Sequence, residues 1–287
     1  MLTGVALVLA GLGVDPGDLS SGRASGGGAV VAVSGGGPLA ATPVAHRAPA
    51  RRPSAEAMRH AWRFARKRGG LVSFAVVCSD GRLRGRDAGR RYVSASLVKA
   101  MLLAAELRRV RRAGLPLDEG TAATLRAMIT YSDNDAADTI YYRVGDPGLF
   151  DVARRARMRS FTVAGYWANA RITAADMARF FSSLDEQLAG PHRAFALGLL
   201  GSVISEQRWG IPAATGKRWA VRFKGGWRST ELGALVHQAA ELRDGDRSLA
   251  LAILTDGQPS QEHAIETIRG ITERLLGNQD NEPNVRP

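Results

Sequence analysis

An α+β fold is predicted, with one five-stranded antiparallel sheet flanked by helices and an all-α lobe inserted into it. Three observations lead there. Two alternating apolar runs joined by a turn come early, at residues 71–93. A long block with helical spacing follows, and three more alternating runs precede a last amphipathic helix. Two strands before a helical block and three after it are most simply paired as one sheet. At 287 residues and 45% hydrophobic, the chain can bury a full core. One two-part domain fits that length better than two independent ones.

Residues 1–53 read as a leader and flexible linker. Leu2 to Val14 is apolar and comparable in length to a signal-peptide core, although no basic residue precedes it. Export to the cell envelope or outside the cell is the expectation from this segment. The glycine- and alanine-rich stretch beyond it, with Gly26-Gly27-Gly28 and Gly35-Gly36-Gly37, cannot bury enough apolar surface to order itself. Residues 54–287 then form the folded domain, with an α/β lobe at 54–95 and 218–279 and the all-α lobe at 96–217.

Each element has its own signal. Ser54 caps a helix over Ala57 to Arg68 that closes at Gly69-Gly70. Leu71 to Cys78 is a strand, Asp80-Gly81 a hairpin turn, and Arg82 to Val93 the returning strand. Helices are expected from Ser96 to Gly114, Thr121 to Ile129, Asp135 to Val144 and Leu149 to Met158, with Gly145-Asp146-Pro147-Gly148 as a turn and Arg159 to Ile172 as a loop. Thr173 with Asp176 is a capping box for Ala174 to Leu184, and another helix spans Pro191 to Ser205. Strands follow at Trp219 to Lys224, Leu232 to Glu241 and Ser248 to Thr255, then a helix at Gln261 to Leu276 and a polar tail.

The net charge of +12 and pI near 10.8 invite a nucleic-acid reading. Arginines are spread over most elements, however, and no basic run is interleaved with aromatics, so nucleic acid is not the expected partner. The single cysteine, Cys78, excludes an internal disulfide and reads as a buried thiol. The five histidines show no ligand spacing, no cofactor is expected, and no run is long enough for a stable membrane span.

The chemistry starts at Ser96 and Lys99. Three residues apart at the head of a helix, they share a face, and a neutral amine there can take the hydroxyl proton. Only four of the 39 basic residues are lysine: Lys67, Lys99, Lys217 and Lys224. Arginine cannot deprotonate in a protein whereas lysine can, so a lysine retained at 99 suggests that the amine itself is wanted. Alone, Ser-x-x-Lys is a weak signal.

Two companions strengthen it. Ser132-Asp133-Asn134 ends a helix, and Lys224-Gly225-Gly226 lies on a strand. Read separately, the first is an ordinary turn and the second a strand with a bulge. In this order and on these elements, from Ser54 to Leu276, the chain resembles the class A β-lactamases and, more broadly, the penicillin-binding serine acyltransferases, with their Ser-x-x-Lys, Ser-Asp-Asn and Lys-Thr-Gly motifs.

That resemblance implies a β-lactamase/transpeptidase-like fold and a role for each residue. Ser96 would be the nucleophile, Lys99 its base, and Ser132 the relay of a proton to the leaving nitrogen. Asn134 would hold Lys99 and the substrate's side-chain amide, and Lys224 would supply positive field for Ser132 and a substrate carboxylate. Backbone N–H groups of Ser96 and Trp227, beside Gly226, would form the oxyanion hole. Arg228 is a second carboxylate anchor or an ordinary exposed arginine. The implied partner is a β-lactam or a peptide ending in D-Ala, bound by a monomer.

Two departures shape the expectation. Class A enzymes activate the deacylating water with a loop glutamate, yet Val152 to Ala175 contains no Asp or Glu; Tyr166-Trp167-Ala168-Asn169 stands there instead. An amide such as Asn169 is no general base at neutral pH. Gly225 also replaces the third motif's hydroxyl residue, for which Ser229 or Thr230 could compensate. Acylation is expected to survive while deacylation is slow. The alternatives are a hydrolase of cell-wall peptides or other amides and esters, and a catalytically idle peptidoglycan-binding homologue.

Overall fold

The computed structural model describes residues 53–277 apart from 189 and 246. The expected leader and linker, like the polar tail, lie outside the described residues. The elements are α1 (Ala55–Arg66), β1 (Leu71–Cys78), β2 (Leu83–Arg86), β3 (Arg91–Val93), α2 (Lys99–Arg112), α3 (Glu119–Arg126), α4 (Asn134–Arg155), β4 (Arg171–Thr173), α5 (Ala174–Ser182), α6 (Leu184–Gln187), α7 (Arg193–Gly201), α8 (Ile211–Thr215), β5 (Ala220–Thr230), β6 (Gly233–Asp244), β7 (Arg247–Gln258) and α9 (Gln261–Leu276).

The main sheet is antiparallel in the order β2-β1-β7-β6-β5, so the expected five strands pair as one sheet. Its middle strands are largely buried because both faces are covered, and the period of two assigns each residue to a face. On β7, Leu249, Leu251 and Ile253 join a core with α1 and α9, while Ala250, Ala252 and Leu254 join a second core with α2, α4 and α5. The small alanines on that second face let α5 lie close against the sheet.

The returning strand expected at Arg82 to Val93 is two pieces. Only Leu83–Arg86 pairs with β1. The chain then turns at Asp87, whose φ is 47°, and the Arg90 N–H donates to Asp87 O at 2.9 Å. Beyond it Arg91–Val93 pairs with Arg171–Thr173 in a separate two-stranded sheet. The helix expected from Pro191 to Ser205 is confined to Arg193–Gly201. The strand expected to end at Lys224 runs on to Thr230, because Gly225 and Gly226 keep their ladder partners Gln238 and His237. α4 is broken where the turn was expected, at Gly145 (φ 57°, ψ −173°).

N-caps form at α1, α5 and α9, while the Asp176 carboxylate, expected to complete a capping box with Thr173, accepts instead from the N–H groups of Arg159 and Ser160. Ser54 accepts from Ala57 N at 2.9 Å, Thr173 from Asp176 N at 3.0 Å, and Ser260 from His263 N at 3.1 Å. Cys78, the sole cysteine of the sequence, is buried.

His237 fastens the sheet to the segment that leads into Ser96. Its Nδ1 accepts from Thr255 N at 3.2 Å, which leaves Nε2–H to donate to Val93 O at 2.9 Å. The bond accepted from Thr255 requires the neutral ring, and burial, outweighing the bond to Val93, lowers its pKa from 6.5 to about 4. As pH falls the unfolded chain takes up this proton first. Its contribution to stability is therefore full above about pH 6.5 and is lost toward pH 4, by about 3 kcal/mol on linkage grounds. In urea titrations, the gap in unfolding free energy between wild type and His237→Gln should narrow by about that amount between pH 7 and 4. A constant gap would contradict this account.

Candidate active site

The site forms where the chain passes from β3 into α2. Ala95–Val98 is a 3₁₀ turn that runs directly into α2, so Ser96 and Lys99 stand three residues apart on one face. Ser94 pins this turn: its N–H donates to Ala170 O at 2.8 Å, and its hydroxyl faces the carbonyls of Ala95, Trp167 and Ala168 at 3.2, 3.3 and 3.4 Å. Ala95, immediately before Ser96, is left-handed at φ 45°.

A second strained residue supplies the next group. α3 ends in a wide turn over Ala127–Tyr131, after which Ser132 is left-handed (φ 61°, ψ 34°) and Asp133 caps α4 by accepting from Ala136 N at 2.7 Å. Each non-glycine residue held in this region costs about 1–3 kcal/mol, which the surrounding contacts must offset.

The structure brings Lys99, Ser132, Asn134 and Lys224 together. Lys99 Nζ donates to Ser132 O at 2.6 Å and to Asn134 Oδ1 at 2.7 Å, and lies 3.4 Å from Ser132 Oγ. From β5, Lys224 Nζ reaches the same Oγ at 3.0 Å and Gly225 O at 3.0 Å. Both lysines are fully buried, and Ser96 is half-buried. Burial lowers the Lys99 pKa to about 8 against the opposing pull of Asp133 and Asp138. Burial, and then repulsion from Lys99, pushes Lys224 well below the ordinary lysine range. A neutral amine has two N–H groups and one lone pair. At Lys99 the close oxygens of Ser132 and Asn134 use both N–H groups, so the lone pair is left for a hydroxyl proton.

β5 is the outer strand of the sheet, and Gly226 brings it against the Ser96 turn. A Cβ at 226 would lie 2.7 Å from Leu97 N and 2.9 Å from Ser96 N. Trp227 is half-buried and packs edge-on to Trp209, with ring centroids 5.9 Å apart. Trp209 also lies over Gly225. Thr230 is committed at the hairpin, its hydroxyl 2.7 Å from Asp256 Oδ1 and 3.0 Å from Gly233 O, and so is not a replacement for the missing hydroxyl. Arg228 is exposed and donates to Asn169 Oδ1 at 3.1 Å.

Trp167 is the residue that sequence reasoning passed over. It is 2% exposed, its ring lies 4.8 Å from Lys99 Nζ, and its Nε1 donates to Asp138 Oδ1 at 2.6 Å. Asp138 is one helical turn beyond Asn134, which was the available signal. The loop thus presents an aromatic face to the amine, and an amine near an aromatic face is held by cation–π attraction when charged. Among the described residues no group of three or more His, Cys, Asp or Glu could hold a metal ion, and no helix is long and apolar enough to cross a membrane.

A five-stranded antiparallel sheet with an all-α lobe and a buried lysine following a serine at their junction is the serine β-lactamase architecture. Solved structures agree on the fold. The chain superposes on a β-lactamase from Sphaerobacter thermophilus (TM-score 0.68, 20% identity, 79% of this chain and 98% of that one). It is also similar to a class A β-lactamase from Mycobacterium abscessus (0.65, 19%, 78% and 99%) and a β-lactamase from Burkholderia vietnamiensis (0.69, 19%, 80% and 98%). No curated protein matches the sequence. The sequence model of the beta-lactamase enzyme family matches residues 120–279, and the chain belongs to that family.

Proposed function

We propose that the protein is a serine hydrolase of the class A type that acylates readily on β-lactam amides and releases the acyl group slowly. Lys99, drawing on its free lone pair, takes the Ser96 proton as Oγ attacks the amide carbonyl. The carbonyl oxygen, now negative, is held by the N–H groups of Ser96 and Trp227, which Gly226 brings side by side. Collapse breaks the C–N bond, and Ser132 passes its proton to the leaving nitrogen. Lys224, against the same hydroxyl, replenishes that proton or holds the negative charge of a substrate carboxylate. Asn134 steers Lys99 and receives the substrate's side-chain amide; Arg228, exposed beside the mouth, is the further anchor for a carboxylate.

The observation that carries slow release is Trp167. Where a class A enzyme places a glutamate and its water, an indole covers Lys99. Asn169, the polar group nearby in the loop, has its Oδ1 engaged by Arg228. The two carboxylates that act on Lys99 are occupied as well, Asp133 by its helix cap and Asp138 by Trp167. Peptides ending in D-Ala carry the same amide and carboxylate and are the natural alternative substrate. Export, supported by the apolar run Leu2 to Val14, belongs to the same proposal.

Incubation with a penicillin followed by intact mass measurement tests the reading. One penicillin mass should add and persist, with only slow hydrolysis of a chromogenic cephalosporin. No adduct and no hydrolysis would sink the acyl-enzyme; rapid hydrolysis without an accumulating adduct would sink slow release.

A further inference from the structure

The end of β1, the start of β7, α5 and the turn after α4 enclose a cavity of about 520 Å³ that shares no lining residue with the Ser96 site. Its volume falls within the range of small-molecule sites. Arg155, Arg157, Arg159 and Arg179 line it, together with Ser182 and Ser183.

The positions of these arginines are built into the fold. α4 closes at Ala156, Arg157 turns left-handed at φ 55°, and the N–H groups of Arg159 and Ser160 donate to the two carboxylate oxygens of buried Asp176 at 2.7 and 2.9 Å. One carboxylate at the head of α5 thereby fixes the turn that carries two of the four guanidiniums, those of Arg157 and Arg159. Arg155 is paired with Asp151 and Arg179 with Asp176, each at 3.1 Å. Arg157 and Arg159 have no acidic partner among the described residues.

Among the described residues the lining holds two carboxylates. Glu241 is taken by Arg222 at 2.7 Å and Arg243 at 2.8 Å, and Glu186 is exposed at the rim. Among the described residues no aromatic ring lines the cavity, so none there stacks a nucleobase. Unpaired guanidinium forks beside hydroxyls suit the tetrahedral, multiply charged oxygens of a phosphate group.

We propose that this cavity binds a small phosphate-bearing anion without an aromatic moiety, gripped by Arg157 and Arg159. Inorganic pyrophosphate, titrated calorimetrically into the protein at an ionic strength held constant with chloride, should bind saturably. The double substitution R157A/R159A should weaken binding by at least about tenfold, and the control R59A/R63A on exposed positions of α1 by less than about twofold. Absence of saturable binding, or equal weakening in both double variants, would overturn the site. Equal affinity for citrate would overturn its assignment to phosphate. Because the Ser96 residues are untouched, penicillin adduct formation should proceed normally in R157A/R159A, which separates failure here from failure of the acyl-enzyme reading.

Discussion

Lys99→Arg should slow acylation of Ser96 by about two to four orders of magnitude, the usual worth of a positioned general base. The guanidinium keeps the positive charge but cannot give up its proton. Lys99→Met, which removes amine and charge without the added bulk, should slow it comparably. In the wild type, the fraction of Lys99 in the basic form increases with pH until its pKa of about 8 and levels off above it. Adduct formation, followed by mass against time, should therefore rise about tenfold per pH unit below that value and flatten beyond it. A rate already flat at pH 6, or one unaffected by Lys99→Met, would remove Lys99 from the role of base.

Gly226→Ala should be nearly as damaging, though it removes no functional group. The added Cβ meets Leu97 N at 2.7 Å, Ser96 N at 2.9 Å and Ser94 O at 3.1 Å, all backbone atoms of the turn that presents the nucleophile. None of these can swing aside as a flexible side chain would. Either β5 retreats from Ser96 or the turn moves, at a cost of about 1–3 kcal/mol. We expect a lowered unfolding midpoint and acylation slowed by at least about tenfold. Gly225→Ala is the control: its Cβ meets the Trp209 ring at 3.4 and 3.5 Å and the Trp227 ring at 3.7 Å, ordinary side-chain contacts, and should leave both quantities nearly unchanged. Equal behaviour of the two variants would refute the close-approach argument.

The fold was legible because it rests on periodicity. Alternation marked the strands at 71–78 and from 219 onward, and the change to helical spacing marked the inserted block. The missed break at Asp87 is local: Arg82 to Val93 keeps enough alternation to pass for one strand, and only tertiary pairing of Arg91–Val93 with Arg171–Thr173 divides it. At the site, Ser96, Lys99, Ser132, Asn134 and Lys224 could be named because their types and spacing are informative. The meeting of Lys99 and Lys224 at Ser132 Oγ could not be seen, since Lys224 lies 92 residues from Ser132 and arrives through sheet pairing. Trp167 was invisible for a related reason. A tryptophan in a loop reads as packing until its ring is found above an amine and its N–H upon Asp138.

The left-handed residues Ala95 and Ser132 flank the site, one immediately before Ser96 and one bearing the hydroxyl that Lys224 reaches. A chain drifting under selection for stability alone would relax these two positions first, since each holds free energy that a glycine would release. Of the four left-handed non-glycine residues among those described, Ala95 and Ser132 lie at the site, while Asp87 and Arg157 lie in turns away from it. Lineages that abandon acylation should lose these two conformations before they lose the sheet.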